Sequence, residues 1–268
     1  MRKYKGLIVD LDGVVWRGGK PISENVEALR ILHNAGIKIV FLTNNSTRSR
    51  RLYSQLLTHI LGFNVRPEDV VTSAYAAAKW LRENMGPSKV YVVGEEGLVE
   101  ELVHEGHTVV TLTEAKSCKA DVVVVGLDRN LTYKKLLTAH ILIKWCGKPY
   151  IATNIDATVP VEDADMPGAG TILAALERST GKKPAYVTGK PNPWIVKIAL
   201  SQLELDKKEV LLVGDRLDTD IEAAVKLGID SLLVYTGVTR PEDVMKSTIK
   251  PTYQAKNLLE GVKLLELA

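Results

Sequence analysis

Cysteine is scarce in this chain of 268 residues, which holds only Cys118 and Cys146. No CxxC pair and no cysteine–histidine cluster occurs, so neither a zinc site nor a disulfide framework is indicated. We therefore expect both cysteines to be free, buried thiols in a reducing compartment.

Long apolar runs and a strong charge imbalance are also missing. All apolar runs fall far short of the roughly 20 residues that span a bilayer. The N-terminal run is interrupted by Asp10, which leaves it too short for a signal-peptide core. Lysine and arginine number 35 against 32 acidic residues and are scattered, so no nucleic-acid partner is indicated. These absences predict a cytoplasmic protein with neither a membrane nor a nucleic-acid partner.

Short β-rich runs alternate with helical patterns along the whole chain, which predicts βαβ units and parallel sheets. Strands are expected at 7–9, 37–42, 70–72, 90–93, 108–111, 121–125, 150–153, 209–213 and 231–235. Helices are expected at 23–36, before Gly62, at 73–85 and at 171–179, and the tail 254–267 has an amphipathic helical pattern. The segment 86–88 has the composition of a linker.

The tetrapeptide Asp10-Leu11-Asp12-Gly13 ends the first apolar run. It places two carboxylates at the carboxyl end of a buried strand, where open α/β sheets hold their ligand crevice. Such a pair suits a nucleophile and a proton shuttle beside a cation. Because Asp-Gly also favours turns, this motif alone leaves a plain strand-ending turn equally probable.

A second acidic segment, GDRLDTD at 214–220, follows the apolar strand 209–213. Asp218 or Thr219 can cap the next helix, but capping explains only one of its acidic residues. The three carboxylates of this segment, Asp215, Asp218 and Asp220, would repel Asp10 and Asp12 strongly unless a cation lay among them. A set of oxygen ligands without histidine or cysteine points to Mg²⁺.

Two weaker signals complete the pattern. Thr43, Asn44 and Asn45 follow the strand 37–42, where a hydroxyl and amides can donate hydrogen bonds to phosphate oxygens. Taken alone, this segment is better explained as an asparagine-rich turn. Lys190 lies between a glycine and Pro191, which fix a loop, whereas an isolated lysine is usually a solvated surface residue.

The four motifs together resemble the haloacid dehalogenase superfamily of phosphotransferases. The similarity is closer to its NagD-type subfamily, which includes p-nitrophenyl phosphatases and pyridoxal or glycolate phosphatases. It rests on DLDGVVWRG at 10–18, LTNNS at 42–46, GKPNPW at 189–194 and GDRLDTDI at 214–221. The resemblance covers about residues 5–237. It implies an α/β fold: a Rossmann-like parallel-sheet core (1–79 and 186–268) with an inserted α/β cap domain (80–185).

The resemblance also implies roles for the motif residues. Asp10 is expected to be the nucleophile that forms an aspartyl-phosphate, and Asp12 the general acid and base. The expected Mg²⁺ ligands are Asp10, Asp12 through its backbone carbonyl, and Asp215.

Further roles concern the transferring phosphoryl group. Thr43, Asn44 and Asn45 are expected to hold it, and Lys190 to neutralise its charge and that of the nucleophile. Asp220 is expected to orient either Lys190 or a metal-bound water.

The function expected from these roles is Mg²⁺-dependent hydrolysis of a small phosphorylated metabolite. A dehalogenase is disfavoured, because halide displacement needs no acid such as Asp12. A phosphomutase or other phosphotransferase, and a non-catalytic sensor on the same fold, stay as alternatives. Asn154 and Asp156 end a predicted cap strand and either face the substrate or form a plain polar turn. The oligomeric state is open, with a homodimer as one option.

Overall fold

The computed structural model describes residues 4–160 and 164–267. The strands in these ranges are β1 Gly6–Asp10, β2 Trp16–Arg17, β3 Lys20–Pro21, β4 Lys38–Thr43, β5 Val70–Thr72, β6 Lys89–Val93, β7 Thr108–Val109, β8 Val122–Val125, β9 Tyr150–Ala152, β10 Thr158–Pro160, β11 Asp165–Pro167, β12 Tyr186–Val187, β13 Val210–Gly214, β14 Asp230–Val234 and β15 Tyr253–Ala255.

The α-helices are α1 Ser23–Asn34, α2 Arg50–Leu61, α3 Ser73–Met85, α4 Glu96–His104, α5 Leu112–Lys116, α6 Tyr133–Lys144, α7 Ala169–Thr180, α8 Pro193–Leu203, α9 Glu222–Leu227, α10 Pro241–Lys246 and α11 Leu258–Leu264. Short 3₁₀ turns lie at Pro67–Asp69 and Lys207–Glu209, and a π-helical turn at Leu217–Ile221. Within the described ranges, none of these helices combines the length and apolarity needed to cross a membrane.

The first sheet has six parallel strands in the order β15-β14-β13-β1-β4-β5. Its central strand β1 is buried along its whole length, since Leu7 and Val9 pack into one hydrophobic cluster and Ile8 into another on the opposite face. Strands β4 and β5 lie on one side of β1, and strands from the end of the chain on the other. This reversal of strand order opens a crevice at the carboxyl ends of β1 and its neighbours.

The second sheet has five parallel strands in the order β12-β9-β8-β6-β7. Its strand β8 consists of four valines, all fully buried and packed alternately into two clusters, because helices cover both faces of the sheet. We call this sheet and its helices, residues 89–187, the cap. The predicted division at 80 and 185 stays a prediction, but Ala74 and Ala77 of α3 already pack into a cap cluster.

The cap rests directly on the core segment that follows β4. The main-chain N–H and the guanidinium Nε of Arg50 donate to the two oxygens of Glu101 at 2.6 and 3.1 Å, and this ion pair is buried. A β-carbon at Gly97 would overlap the main chain of Arg48, so only glycine permits this approach of helix α4.

Most of the predicted elements are confirmed, including α1, α3 and the end of α2 at Gly62. Two predictions were wrong in extent. The strand expected at 108–111 stops at Val109, because the side chain of Thr111 caps helix α5 instead. The tail is not one helix: Tyr253–Ala255 pairs with β14 as an edge strand, and α11 begins only after its cap, Asn257.

The prediction of two free thiols was also wrong. Cys118 and Cys146 form a disulfide, with their Cα atoms 5.8 Å apart. Cys118 follows the end of α5 and Cys146 follows the end of α6, and these two helices pack against each other. The pairing depends on how the two helix ends converge in space, which the spacing of two cysteines in the sequence does not reveal.

Reduction of the disulfide is expected to destabilise the cap without changing catalysis. The bridge closes a loop with a sequence separation of 28, for which the chain-entropy model gives about 3–4 kcal/mol of stability. Thermal unfolding with and without a reductant should show a lower Tm after reduction. The control is Cys118→Ser, whose Tm should not respond to the reductant. A fall in kcat on reduction, at a temperature where both forms are folded, would contradict this expectation.

Candidate active site

The predicted site residues meet at the carboxyl edge of the first sheet. Asp10 ends β1, Thr43 ends the adjacent β4, and Asp215 directly follows β13 on the other side of β1. These residues line one cavity, together with residues of the cap. The polar residues that line it include Asp10, Asp12, Thr43, Asn44, Asn45, Asn154, Asp156, Lys190, Asp215, Arg216 and Asp220.

Lys190 lies at the centre of the crevice between two carboxylates. Its Nζ donates to Asp10 Oδ1 at 2.5 Å and to Asp220 Oδ1 at 2.6 Å, and all three side chains are buried. Burial alone would lower the pKa of Lys190, but the two carboxylates outweigh it and raise the pKa, so the lysine is charged. Burial raises the pKa of Asp10, and Lys190 opposes that effect. Of the two partners expected for Asp220, Lys190 is the one in direct contact with it.

The carboxylates of Asp10, Asp215 and Asp220 form a buried acidic cluster, with one oxygen of each within 4.8 Å of the others. Asp215 Oδ2 accepts a hydrogen bond from the N–H of Val238 at 2.7 Å. Its buried Oδ1 has no hydrogen-bond partner among the described residues. Burial, and next the charge of Asp220, raise the pKa of Asp215 to about 7.

This cluster fits a hard divalent cation. All its donors are oxygens, and the unpartnered oxygen of Asp215 is costly to bury unless a cation or proton neutralises it. A β-carbon at Gly13 or Gly237 would overlap the Asp215 carboxylate, so these two glycines allow the main chain to approach it closely. The side chain of Asp12 is not part of the cluster.

The Asp12 carboxylate is held instead by an aromatic residue. Trp16 Nε1 donates to Asp12 Oδ1 at 2.9 Å, and the indole stacks on the buried ring of Tyr53 with 6.2 Å between ring centroids. Burial raises the pKa of Asp12, and the hydrogen bond from Trp16 counteracts part of that rise. The sequence places Trp16 near the nucleophile loop, but not in contact with Asp12, because a four-residue spacing has no fixed meaning in a loop.

The three residues after β4 have different environments. Thr43 is buried, and its hydroxyl accepts from the N–H of Asn45 at 3.0 Å. Asn45 Oδ1 accepts from the N–H and the hydroxyl of Thr47, which closes a local turn. The carboxamide of Asn44 contacts Lys190 and Asp156.

The cap contributes Asn154 and Asp156, from the loop after β9, to the same crevice. Burial raises the pKa of Asp156, while the hydrogen bond from Asn44 and the charge of Arg216 lower it. Arg216 also forms an ion pair with Asp218 at 2.7 Å. Arg216 lies within the GDRLDTD segment, but it has no predicted role there, because the acidic residues around it carry the metal signal.

Family models match both halves of the core. The model for haloacid dehalogenase-like hydrolases matches residues 7–108, and a second HAD-hydrolase-like model matches residues 187–261.

Similar proteins align over nearly the whole chain. An acid sugar phosphatase from Staphylococcus haemolyticus is 37% identical over 266 residues, which cover 99% of this chain and 98% of that protein. The structure of a p-nitrophenyl phosphatase from Archaeoglobus fulgidus has a TM-score of 0.89 and 38% identity, over 98% of this chain and 99% of the other. The structure of a glycerol phosphate phosphatase from Mycobacterium tuberculosis, in complex with magnesium, has a TM-score of 0.86 and 36% identity, over 96% of this chain and 75% of the other.

The structure has a Rossmann-like core, and the acidic crevice of this core holds a buried lysine beneath a cap. Together with the relatives, this arrangement defines a phosphatase of the α/β class. The chain belongs to the haloacid dehalogenase-like hydrolase family. The family predicted from the four motifs is thereby confirmed, and so is the predicted fold of a parallel-sheet core with a cap.

Proposed function

We propose that the enzyme hydrolyses monophosphate esters of small sugars or polyols in two half-reactions, through a phosphorylated Asp10. In the first, a carboxylate oxygen of Asp10 attacks the phosphorus and the bond to the ester oxygen breaks. The leaving oxygen takes its proton from Asp12, which prevents release of a high-energy alkoxide. The products of this half-reaction are the free alcohol and the acyl phosphate on Asp10.

In the second half-reaction, water attacks the same phosphorus. Asp12, now a carboxylate, takes a proton from the water, and the bond between phosphorus and the Asp10 oxygen breaks. Inorganic phosphate leaves, and Asp10 and Asp12 return to their starting states. One residue can serve as acid and then as base because the first step leaves it deprotonated.

Lys190 neutralises the charge of the phosphoryl group during both steps, and Thr43 helps to position it. In phosphoryl transfer, fixed charges and hydrogen-bond donors supply most of the stabilisation of the transition state. Asp220 shares Lys190 with the nucleophile, with its oxygen 2.6 Å from Nζ. It thereby keeps the lysine charged and in place when the charge on Asp10 is consumed by bond formation.

The acidic cluster supports Mg²⁺ as the cofactor. Asp10 and Asp215 would hold it, with the main-chain carbonyl of Asp12. A bound divalent cation would offset negative charge on the phosphoryl oxygens. The support from this chain is the oxygen-only cluster and the unpartnered Oδ1 of Asp215.

The observation that carries the proposal is the short bridge from Lys190 to Asp10 and Asp220 beside that cluster. The test measures inorganic phosphate release from glycerol phosphate, sugar monophosphates and nitrophenyl phosphate, with and without Mg²⁺. Hydrolysis of the polyol and sugar esters is the expected result. Transfer to a second hydroxyl without phosphate release would instead indicate a phosphomutase. If no ester is turned over, the result would indicate a sensor.

Asp12→Asn is expected to lower kcat in a way that depends on the leaving group. Loss of acid–base catalysis costs on the order of 10²–10⁴ in rate, but nitrophenolate leaves without a proton and needs less assistance. We therefore expect a large loss for glycerol phosphate and a smaller one for nitrophenyl phosphate. Single-turnover rates for both esters provide the measurement, and an equal loss for both would rule out a general-acid role.

A further inference from the structure

The side chain of Asn44 pairs with the main chain of Lys190. Asn44 Oδ1 accepts from the Lys190 N–H at 2.8 Å, and Asn44 Nδ2 donates to the Lys190 carbonyl oxygen at 3.0 Å. The carboxamide thus satisfies both main-chain polar groups of one residue, as a neighbouring β-strand would. A β-carbon at Gly189 would lie 2.7 Å from Asn44 Oδ1, so this pairing needs a glycine before the lysine.

The same asparagine also contacts the cap. Its Nδ2 donates to Asp156 Oδ2 at 3.1 Å, and its main-chain oxygen accepts from Asn154 Nδ2 at 2.5 Å. Asp156 is itself fixed to the start of α7, since its carbonyl oxygen accepts from the Gly170 N–H at 2.9 Å. The cap loop is therefore anchored both to helix α7 and to Asn44.

These contacts use the whole hydrogen-bonding capacity of the Asn44 amide nitrogen. An amide NH₂ group has two donors, and here one goes to Lys190 and the other to Asp156. The Asn44 side chain in this arrangement therefore has no free donor for a phosphoryl oxygen.

We propose that Asn44 is a positioning residue that joins two parts of the active site: it fixes the main chain of Lys190 and seats the cap through Asp156. This inference rests on the proposed function, because it assigns the purpose of the contact to the phosphoryl-holding lysine. Asp156 then acts through Asn44 rather than on the substrate, so its loss should affect all substrates alike.

The geometry explains why this position is sensitive. Lys190 Nζ is fixed between two buried carboxylates at 2.5 and 2.6 Å, so a small displacement of its main chain removes at least one of these contacts. Misplacement of about 1 Å at a catalytic group can cost about 10²-fold in rate. The carboxylate of Asp156, which is partly buried, also loses its donor if the amide is removed.

The test uses Asn44→Asp, Asp156→Asn and the double variant, because the double variant exchanges donor and acceptor between the two positions. Asn44→Asp places carboxylate oxygens against Asp156 and the Lys190 carbonyl, and should lower kcat/KM about 10²-fold. Asp156→Asn keeps an acceptor and should lose only a few-fold. The double variant restores the contact with the cap and should recover about tenfold of the loss.

Two further readouts separate positioning from general destabilisation. The Ki of inorganic phosphate as a competitive inhibitor should rise in Asn44→Asp, because the lysine that holds the phosphoryl charge is displaced. Asp156→Ala should lower kcat/KM for glycerol phosphate and nitrophenyl phosphate by the same factor. The matched control is Asn84→Asp, which removes an exposed amide donor to the Trp80 carbonyl oxygen and should change none of these values.

Lys190→Ala, measured beside these variants, separates failure of the inference from failure of the proposed function. If Lys190→Ala leaves kcat and the phosphate Ki unchanged, the role proposed for Lys190 is wrong and the inference falls with it. If Lys190→Ala is impaired but Asn44→Asp is not, only the inference is overturned. A double variant with no recovery, or unequal losses for the two esters in Asp156→Ala, would overturn the link to the cap.

Discussion

Asp10→Asn is expected to abolish turnover, with a fall in kcat of at least about 10⁴-fold, the scale seen when catalytic nucleophiles are removed. A carboxamide is a poor nucleophile and cannot form the acyl phosphate. The fold should tolerate the change, because Lys190 keeps Asp220 as a charged partner. The new carboxamide also relieves some of the repulsion within the acidic cluster.

The measurement is rapid mixing with nitrophenyl phosphate, acid quenching and intact-mass analysis. The wild-type enzyme should carry one added phosphoryl group, and peptide mapping should place it on Asp10. Asp10→Asn should carry none. The control is Asp206→Asn, the same chemical change at an exposed cap of the turn Lys207–Glu209, where asparagine caps equally well. A phosphorylated Asp10→Asn enzyme would refute Asp10 as the nucleophile.

Removal of divalent cations is expected to abolish turnover as completely, and added Mg²⁺ should restore it. Asp215→Asn should have the same effect, because it deletes the cluster's unpartnered carboxylate oxygen. A cation that binds only the folded state stabilises it, by about 2–3 kcal/mol when its concentration is a hundred times Kd. Mg²⁺ should therefore raise the Tm of the wild-type enzyme and leave that of Asp215→Asn unchanged.

Stability without metal gives an independent check on this assignment. The wild-type chain then buries the carboxylates of Asp10, Asp215 and Asp220 around a single lysine, and their repulsion opposes folding. In Asp215→Asn, the introduced carboxamide would still accept from the Val238 N–H and would add a donor toward the remaining carboxylates. This variant, free of metal, should be at least as stable as the metal-free wild type. A large loss of stability, or full activity in chelator, would contradict the metal assignment.

The gathering of Asp10, Thr43 and Asp215 was predictable because each follows an apolar strand. Parallel strands bring such positions to one edge of a sheet, whatever the distance between them in the chain. Lys190 was recognisable only through the family resemblance, because a lone lysine carries no positional signal. The contact of Asp220 with Lys190 needed coordinates, since it depends on the π-helical turn Leu217–Ile221.

Other features left no trace in the sequence. The pairing of Cys118 with Cys146 follows from helix packing within the cap. The contact of Trp16 with Asp12 arises in an irregular loop. The pairing of the Asn44 carboxamide with the main chain of Lys190 depends on the proximity of the Lys190 loop in space. The edge strand Tyr253–Ala255 has no apolar run like that of Val70–Thr72, so the sequence does not separate it from the tail.

The docking of α4 on the segment after β4 limits how this enzyme could be rebuilt or diversified. The buried Arg50–Glu101 pair and the fit of Gly97 against Arg48 each involve one residue from either side of the junction. A chimera that received residues 89–187 from a relative would inherit only half of each contact, and leaving one member of a buried ion pair alone costs about 3–5 kcal/mol. Transfer of substrate preference from another phosphatase therefore requires that residues 46–50 be exchanged together with the cap. Point substitutions inside the crevice are the less costly route to a change of specificity.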